Sequence, residues 1–102
     1  MEQGVCGGYR AKRSDTAGRQ ALAALLGTTR AEVLLHVAAD PTATATDLVH
    51  RLGVSAATVS HHASVLRRSG LITTHRTGGS VHHALTPLGC GVLDAHGMGR
   101  PL

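Results

Sequence analysis

A segment near the middle of the chain, residues 55–69, carries short polar and basic side chains at helical spacing. By the i, i+3, i+4 rule these side chains fall on one face of a helix. The face consists of Ser60, His61, Ser64, Arg67 and Arg68. A helix that reads bases in the DNA major groove needs side chains short enough to allow close approach and polar enough to bond base edges. The segment therefore predicts a DNA-recognition helix.

Position along this helix predicts the role of each side chain. Thr58, Ser60 and His61 lie near the helix N-terminus, where contacts to base edges are made. Phosphate contacts position a protein on the duplex, and small or basic groups at the flanks supply them. The predicted phosphate contacts are Ser55, His62, Arg67 and Arg68. The alternative is an amphipathic helix whose polar face contacts only solvent.

The residues before this helix predict the element that holds it in place. Thr44 with Asp47 three residues later has the pattern of an N-cap, and Leu48 and Leu52 give that helix an apolar side. Gly53 suits the left-handed residue after a helix, and Ser55 suits the next N-cap. Two short helices joined by one turn form a helix-turn-helix. On the second helix Val59, Ala63 and Leu66, with Val65 beside them, are predicted to face the core.

Further elements flank this pair. Residues 19–26 predict one helix and residues 28–40 another, the second opened by a capping box of Thr29 and Glu32. Residues 71–85 switch to an alternating β-branched pattern around Gly78-Gly79, which predicts a hairpin. Its register places His75 opposite His82 and Thr74 opposite His83. Thr86-Pro87 then starts a last helix. The predicted fold is mainly α with a small β-hairpin, a winged helix-turn-helix in the order α-α-α-α-β-β-α.

Length and composition bound the domain organisation. The chain has 102 residues, of which 42% are apolar and 1% aromatic, so we expect one domain with an aliphatic core. We predict a flexible basic N-terminal arm over residues 1–18, the domain over 19–96 and a frayed end over 97–102. The basic cluster of the arm is Arg10, Lys12 and Arg13.

An aliphatic core of this size is marginal alone, and dimerisation is a usual remedy. We therefore expect a homodimer that is formed by the first and last helices of the domain. Both helices carry leucine or valine side chains on one face. The predicted interface residues are Leu22, Leu25, Leu26, Val92 and Leu93.

The formal net charge of +4 favours a polyanionic partner, with nucleic acid first and an anionic membrane second. No apolar run is long enough for a membrane span, and the N-terminus lacks the apolar region of a signal peptide, so we expect a cytoplasmic protein. Cys90 or Ser60 beside a histidine has no third orienting group, and the chain has no phosphate-binding loop or paired catalytic carboxylates. An enzyme is therefore not expected.

Two cysteines and eight histidines leave metal sensing and redox sensing as open alternatives. Cys6 and Cys90 make no Cys-x-x-Cys motif, yet they leave a redox response as an alternative to a structural role. The histidines are scattered, and a facing pair such as His75 and His82 is too small a ligand set for a tight site. If histidines lie near phosphates, lower pH should tighten DNA binding. No cofactor is predicted.

Residues 52–72, LGVSAATVSHHASVLRRSGLI, resemble the recognition segment of the ArsR-type (arsenic-repressor type) bacterial winged-helix regulators. Leu26-Gly27 with Arg30, and Leu85 to Gly89, resemble the start of that family's domain and its join from wing to last helix. The resemblance implies a homodimeric repressor that reads an inverted-repeat operator in double-stranded DNA, with Arg76 of the wing adding a contact.

The chain departs from that family at several positions. Ala63 stands where a larger apolar residue is usual. The helix before the turn, residues 47–52, lacks the Cys-x-Cys of the metal sensors, and Asp94 and His96 supply only half of a second family metal site. The inducer, small molecule or metal, stays open. The alternatives are a metal- or thiol-responsive sensor of the same family and a winged-helix module used for protein–protein contacts.

Overall fold

The computed structural model describes residues 15–96 of the chain and has the predicted order of elements. Helices and a hairpin follow one another as α1 (Asp15–Leu26), α2 (Thr28–Ala39), α3 (Ala45–Leu52), α4 (Ala56–Arg68), β1 (Ile72–Thr77), β2 (Ser80–Leu85) and α5 (Pro87–Ala95). Residues 15–96 thus form five helices and one antiparallel two-stranded sheet, the winged helix-turn-helix plan.

Local hydrogen bonds fix the turn between α3 and α4. The Thr44 hydroxyl accepts from the Asp47 amide at 3.0 Å, and the Asp47 carboxylate accepts from the Thr44 amide at 3.0 Å. Gly53 ends α3 with a φ of 68°, a left-handed conformation that glycine adopts without a steric penalty. The Ser55 hydroxyl then accepts from the Thr58 amide at 3.0 Å and caps α4. The three caps predicted at this turn are confirmed.

Two predictions at the start of the domain need correction. Helix α1 begins at Asp15, four residues before the predicted start at residue 19 and inside the predicted arm. The capping box of Thr29 and Glu32 is wrong, because Gly27 is the N-cap of α2 and no side chain caps it. Glu32 instead accepts a hydrogen bond from Arg19 of α1 at 3.0 Å. The predicted basic cluster at residues 10–13, Cys6 and the predicted frayed end lie outside the described residues.

The hairpin has the predicted register. His75 pairs with His82 and Thr74 with His83, and Gly78 takes a positive φ of 59° at the first turn position. Thr44 adds an isolated antiparallel bridge to His82, which the sequence pattern did not predict. This bridge ties the hairpin to the start of α3, so the wing and the helix-turn-helix share one anchor.

The core lies where α2 crosses α1, α3, α4 and the hairpin. It is built from aliphatic side chains, as predicted from the near absence of aromatic residues. The largest fully buried side chains are Leu22, Val33, Leu34, Leu48, Val59, Leu66, Ile72 and Leu93. Val59, Ala63 and Leu66 are the buried residues of α4, as predicted, so burial of this stripe sets the rotation of the helix about its axis.

Two of the predicted dimer-interface residues need correction. Leu22 and Leu93 have no exposed surface because both pack inside the protomer core. Leu26 and Val92 are half-buried against the same core, and Leu25 is 65% exposed. Leu88 of α5, which was not in the predicted set, is 56% exposed. The apolar surface that remains on α1 and α5 is therefore centred on Leu25 and Leu88.

Within residues 15–96 no single helix is long and apolar enough to cross a membrane. The segments Ala17–Leu26 and Thr28–Ala39 reach the length and apolar composition of a membrane span only when they are taken together. They are bent by 119° at the break between them.

The start of α5 is held against the chain that follows α4. The Thr86 hydroxyl accepts from the Gly89 amide at 3.0 Å and donates to the Gly70 carbonyl at 2.5 Å. Gly89 itself lies so close to Leu71 that an added Cβ would be 2.3 Å from the Leu71 carbonyl oxygen. Only a glycine therefore fits at this contact.

We predict that Gly89→Ala destabilises the protein by about 1–3 kcal/mol, because backbone must move to admit the methyl group. Gly91→Ala, two residues further along the same helix, is the matched control, since nothing lies within 4 Å of its added Cβ. This control should be neutral or stabilising by up to about 1 kcal/mol. Urea denaturation of both variants measures the effect, and equal midpoints would contradict the predicted close contact.

Candidate nucleic-acid interface

The face of α4 opposite the buried stripe is open to solvent. Ser60, His61, Arg67 and Arg68 are exposed, and Ser64 is half-buried beside them. This is the face that the sequence predicted, because three buried residues at i, i+4 and i+7 leave it no other orientation. The structure thus gathers five of the predicted DNA contacts on one surface of a single helix.

The N-terminus of α4 is a ready donor for an anion. The Ser55 and Thr58 hydroxyls lie 2.9 Å apart, and the Thr58 amide bonds to the Ser55 oxygen. Other amides of the first helical turn lack a partner within the helix, as in every α-helix. These donors and the positive end of the helix dipole favour a phosphate at this point.

His62 differs from the other predicted contacts. Its side chain is half-buried, and its Nδ1 atom is fully buried and has no hydrogen-bond partner in the described structure. Burial lowers the pKa of His62, and the charges of Arg30 and His61 lower it further. The neutral ring therefore adds no positive charge for a phosphate at neutral pH.

The wing adds an arginine to those of α4. Arg76 lies near the end of β1 and is exposed, and it borders a cleft of about 270 Å³ between α3, α4 and the hairpin. Ser60 and Arg67 of α4 border the same cleft. The sequence predicted Ser60 and Arg67 on one helix and Arg76 on the wing, and the fold brings these two elements to one opening.

Arg67, Arg68 and Arg76 have no acidic partner among the described residues, unlike two other arginines of the domain. Arg19 pairs with Glu32 and Arg51 with Asp40, each at 3.0 Å. Among residues 15–96 no salt bridge involves Arg67, Arg68 or Arg76. Their charge is therefore available to an external anion, which is the electrostatic requirement for binding a nucleic-acid backbone.

His83 is a feature of this site that sequence reasoning missed as a buried group. It is 5% exposed, although the other strand residues beside it are more open, and its Nδ1 atom lies 3.0 Å from the Thr74 hydroxyl. The predicted register already placed Thr74 opposite it, so a polar partner across the hairpin was the available signal. Burial lowers the pKa of His83, and the charges of Arg67, His82 and His75 lower it further.

The candidate metal ligands of α5 are not gathered into a site. The Nδ1 atom of His96 lies 2.8 Å from the Val92 carbonyl oxygen, which ties this ring to its own helix. Across residues 15–96, no three His, Cys, Asp or Glu side chains are grouped so that they could hold a metal ion. Asp94 and His96 therefore stay a predicted half-site only.

The capped helix α4, the turn before it and the adjoining hairpin define a winged helix-turn-helix protein. The family model described as "Helix-turn-helix domain" matches residues 25–75, half of the chain. The chain belongs to this family, whose members are DNA-binding transcription regulators. The ArsR type within it is a narrower prediction that this match does not test.

Solved structures have the same fold. The chain is similar to MepR, a transcription regulator of the Staphylococcus aureus multidrug efflux pump MepA, with 20% identity and a TM-score of 0.69. That match covers 82% of this chain and 65% of MepR, so the chain spans less than two thirds of the MepR length. Reduced HlyU from Vibrio cholerae is similar at 21% identity and a TM-score of 0.54, over 71% of this chain and 77% of HlyU. No curated protein sequence matches the chain.

The lowered pKa of His83 predicts that the protein loses stability on mild acidification. The unfolded chain binds a proton near pH 6.5, whereas the buried ring resists one, so stability is full above about pH 6.5 and falls as the pH drops through that value. His62 should contribute in the same direction. The carboxyls with lowered pKa, Asp40 and Asp47, titrate below this range.

Thermal melts between about pH 7.5 and about pH 5.5 measure this loss. His83→Asn should reduce the pH dependence of the melting temperature, because it removes a group that is neutral when folded and charged when unfolded. His50→Asn, at an exposed position on α3 away from the hairpin, is the matched control and should keep the wild-type dependence. A melting temperature that rises on acidification would contradict the buried, neutral state of His83.

Proposed function

We propose that the protein binds double-stranded DNA in a sequence-specific manner, as a homodimeric repressor that reads an inverted repeat in the cytoplasm. The observation that carries this proposal is the exposed face of α4, where short polar groups and unpaired arginines lie together. Membership of the helix-turn-helix family and likeness of fold to a transcription regulator support it.

The proposed division of roles follows position along α4. Thr58, Ser60 and His61 occupy the first two turns and would meet base edges. Arg67 and Arg68 lie in the last turn and would meet the phosphate backbone, where a planar guanidinium suits phosphate geometry. Arg76 of the wing would add a flanking contact across the cleft from Arg67.

The proposed dimer rests on exposed apolar surface outside this face. Leu25 on α1 is 65% exposed and Leu88 on α5 is 56% exposed, whereas the other large aliphatic side chains of the described residues are at least half-buried. Reading an inverted repeat requires that the two-fold partner over these leucines set two α4 helices about 34 Å apart, one helical turn of DNA. Leu26 and Val92 would lie at the margins of such an interface.

We predict that Arg67→Gln weakens binding to all duplexes about equally, because a phosphate contact carries no sequence information. Ser60→Ala should instead change base preference, with about 1–3 kcal/mol of discrimination lost at one position. The measurement is selection of bound duplexes from a random library, followed by fluorescence anisotropy in a salt series. Arg67→Gln should also make the salt dependence shallower by about one unit of slope.

Arg19→Gln is the matched control, because it removes the same charge from a side chain that is already paired with Glu32. It should leave base preference unchanged and the salt slope close to that of the wild type. If Arg67→Gln changed preference and Ser60→Ala did not, the proposed roles would be reversed. If the wild type bound no duplex at low salt, the function would lie in protein contacts instead.

We predict that Leu25→Glu converts the dimer to a monomer, because it places a charge within a buried apolar contact. Ala57→Glu, an equally charged change at an exposed position on α4, should leave the dimer intact. Sedimentation velocity of the three proteins at matched concentrations gives the result. A wild type that sediments as a monomer at all concentrations, or a Leu25→Glu variant that stays dimeric, would contradict this interface.

A further inference from the structure

The cleft between α4 and the wing has the size and lining of a small-ligand site. Its volume is about 270 Å³, and it lies between α3, α4 and both strands of the hairpin. An apolar cavity of about 150 Å³ is large enough to bind benzene. The present cleft therefore has room for a ring or a branched chain that carries one polar group.

The walls of the cleft include an apolar part and a basic part, together with the polar side chains of Thr46, Ser60, Thr74 and His83. Val49, Val59 and Ala63 supply apolar surface from the two helices, and Val81 supplies it from the wing. Two arginines, Arg67 and Arg76, supply charge, and no acidic residue within residues 15–96 lines the cleft. A ligand that matches both parts has an apolar body and a negative group.

Small side chains form part of the lining of the cleft. Ala45, Ala56 and Ala63 all line it, and Ala63 is buried at 4% exposure. Interiors of proteins are packed as densely as organic crystals, so an unfilled apolar space beside a core helix loses contacts that a ligand would restore. A leucine at position 63 would occupy this space.

We propose that the cleft is a binding site for a small organic monocarboxylate, with its apolar body against Val59 and Ala63 and its carboxylate paired with Arg67. A guanidinium binds a carboxylate through two parallel hydrogen bonds, which makes this pairing both strong and oriented. An inorganic anion would leave the apolar wall wet, and a neutral hydrocarbon would leave the arginine without a partner.

Such a ligand would also oppose DNA binding. Arg67 is one of the residues proposed to contact phosphate, so a carboxylate paired with it removes charge from the DNA-binding face. The ligand body would in addition sit between Ser60 and the wing, both of which border the cleft. This regulatory part of the proposal rests on the proposed function, whereas binding of the acid does not.

The first test uses benzoate as the probe, with binding to the full chain measured by calorimetry and by NMR. Benzoate should bind saturably at one site, and benzyl alcohol and inorganic phosphate should each bind at least about tenfold more weakly. Ala63→Leu should weaken benzoate binding by at least about tenfold by filling the cleft. Ala57→Leu, at an exposed position of the same helix outside the cleft, is the matched control and should bind as the wild type does.

Arg67→Gln gives a second variant that leaves the core untouched, since Arg67 is exposed. It should weaken benzoate binding at least about fivefold, whereas Arg68→Gln, which does not line the cleft, should not. Equal benzoate affinity in the wild type, Ala63→Leu and Arg67→Gln would overturn the site. Phosphate binding as tight as that of benzoate would overturn it too, because the cleft would then be a phosphate site.

The second test measures DNA affinity by anisotropy at fixed ionic strength, with and without saturating benzoate. Benzoate should raise the Kd of the wild type for DNA and leave that of Ala63→Leu unchanged. Benzoate that binds without changing the Kd would overturn the regulatory part and leave the ligand site supported. Absence of DNA binding in any condition would overturn the proposed function, while the first test would still decide the ligand site.

Discussion

Burial of one stripe of α4 is the constraint on which the rest of the structure depends. Val59, Ala63 and Leu66 pack against α2, α3 and β1, and this contact fixes how the helix is rotated. A rotation that exposed these residues would cost several buried aliphatic contacts, each worth about 1–3 kcal/mol. The opposite face, with Ser60 and Arg67, must then point to solvent. The packing that buries one side of α4 therefore also presents its polar side to solvent.

The near absence of aromatic residues shapes both the stability and the surface. Aliphatic side chains fill the core between α1, α2 and α4, and the small alanines of α3 and α4 leave a gap beneath the wing. The bridge of Thr44 to His82 ties the hairpin to the start of α3, and the bonds of Thr86 to Gly70 and Leu71 join the two ends of the hairpin. The wing is therefore anchored at its base, with the cleft between it and α4.

The elements that sequence could predict are those specified by neighbouring residues. The caps at Thr44, Gly53 and Ser55 each depend on groups within three or four positions along the chain, and all were predicted. The hairpin register followed from the Gly78-Gly79 turn and the alternation around it. The polar face of α4 was predictable for the same reason, since a helical period and a buried stripe determine it.

What sequence could not predict depends on distant contacts. Glu32 was predicted to cap its own helix, but its partner is Arg19, thirteen residues away on α1. Leu22 and Leu25 share one helical face, yet Leu22 is fully buried and Leu25 is 65% exposed, because only the packing of α1 on α2 distinguishes them. The small side chain of Ala63 was visible in the sequence. The meeting of Arg67 and Arg76 at one cleft was not, because it depends on how the wing packs beside α4.

An NMR titration of the isotopically labelled chain with a duplex would locate the DNA-binding surface without any substitution. If α4 is the recognition helix, the largest amide shifts should fall on Ala57, Ser60, His61 and Arg67, with a second group around Arg76 of the wing. Amides of α2 and of Gly91 on α5 should move little. Shifts centred on α1 and α5, with α4 unchanged, would contradict the assignment of α4 as the helix that contacts DNA.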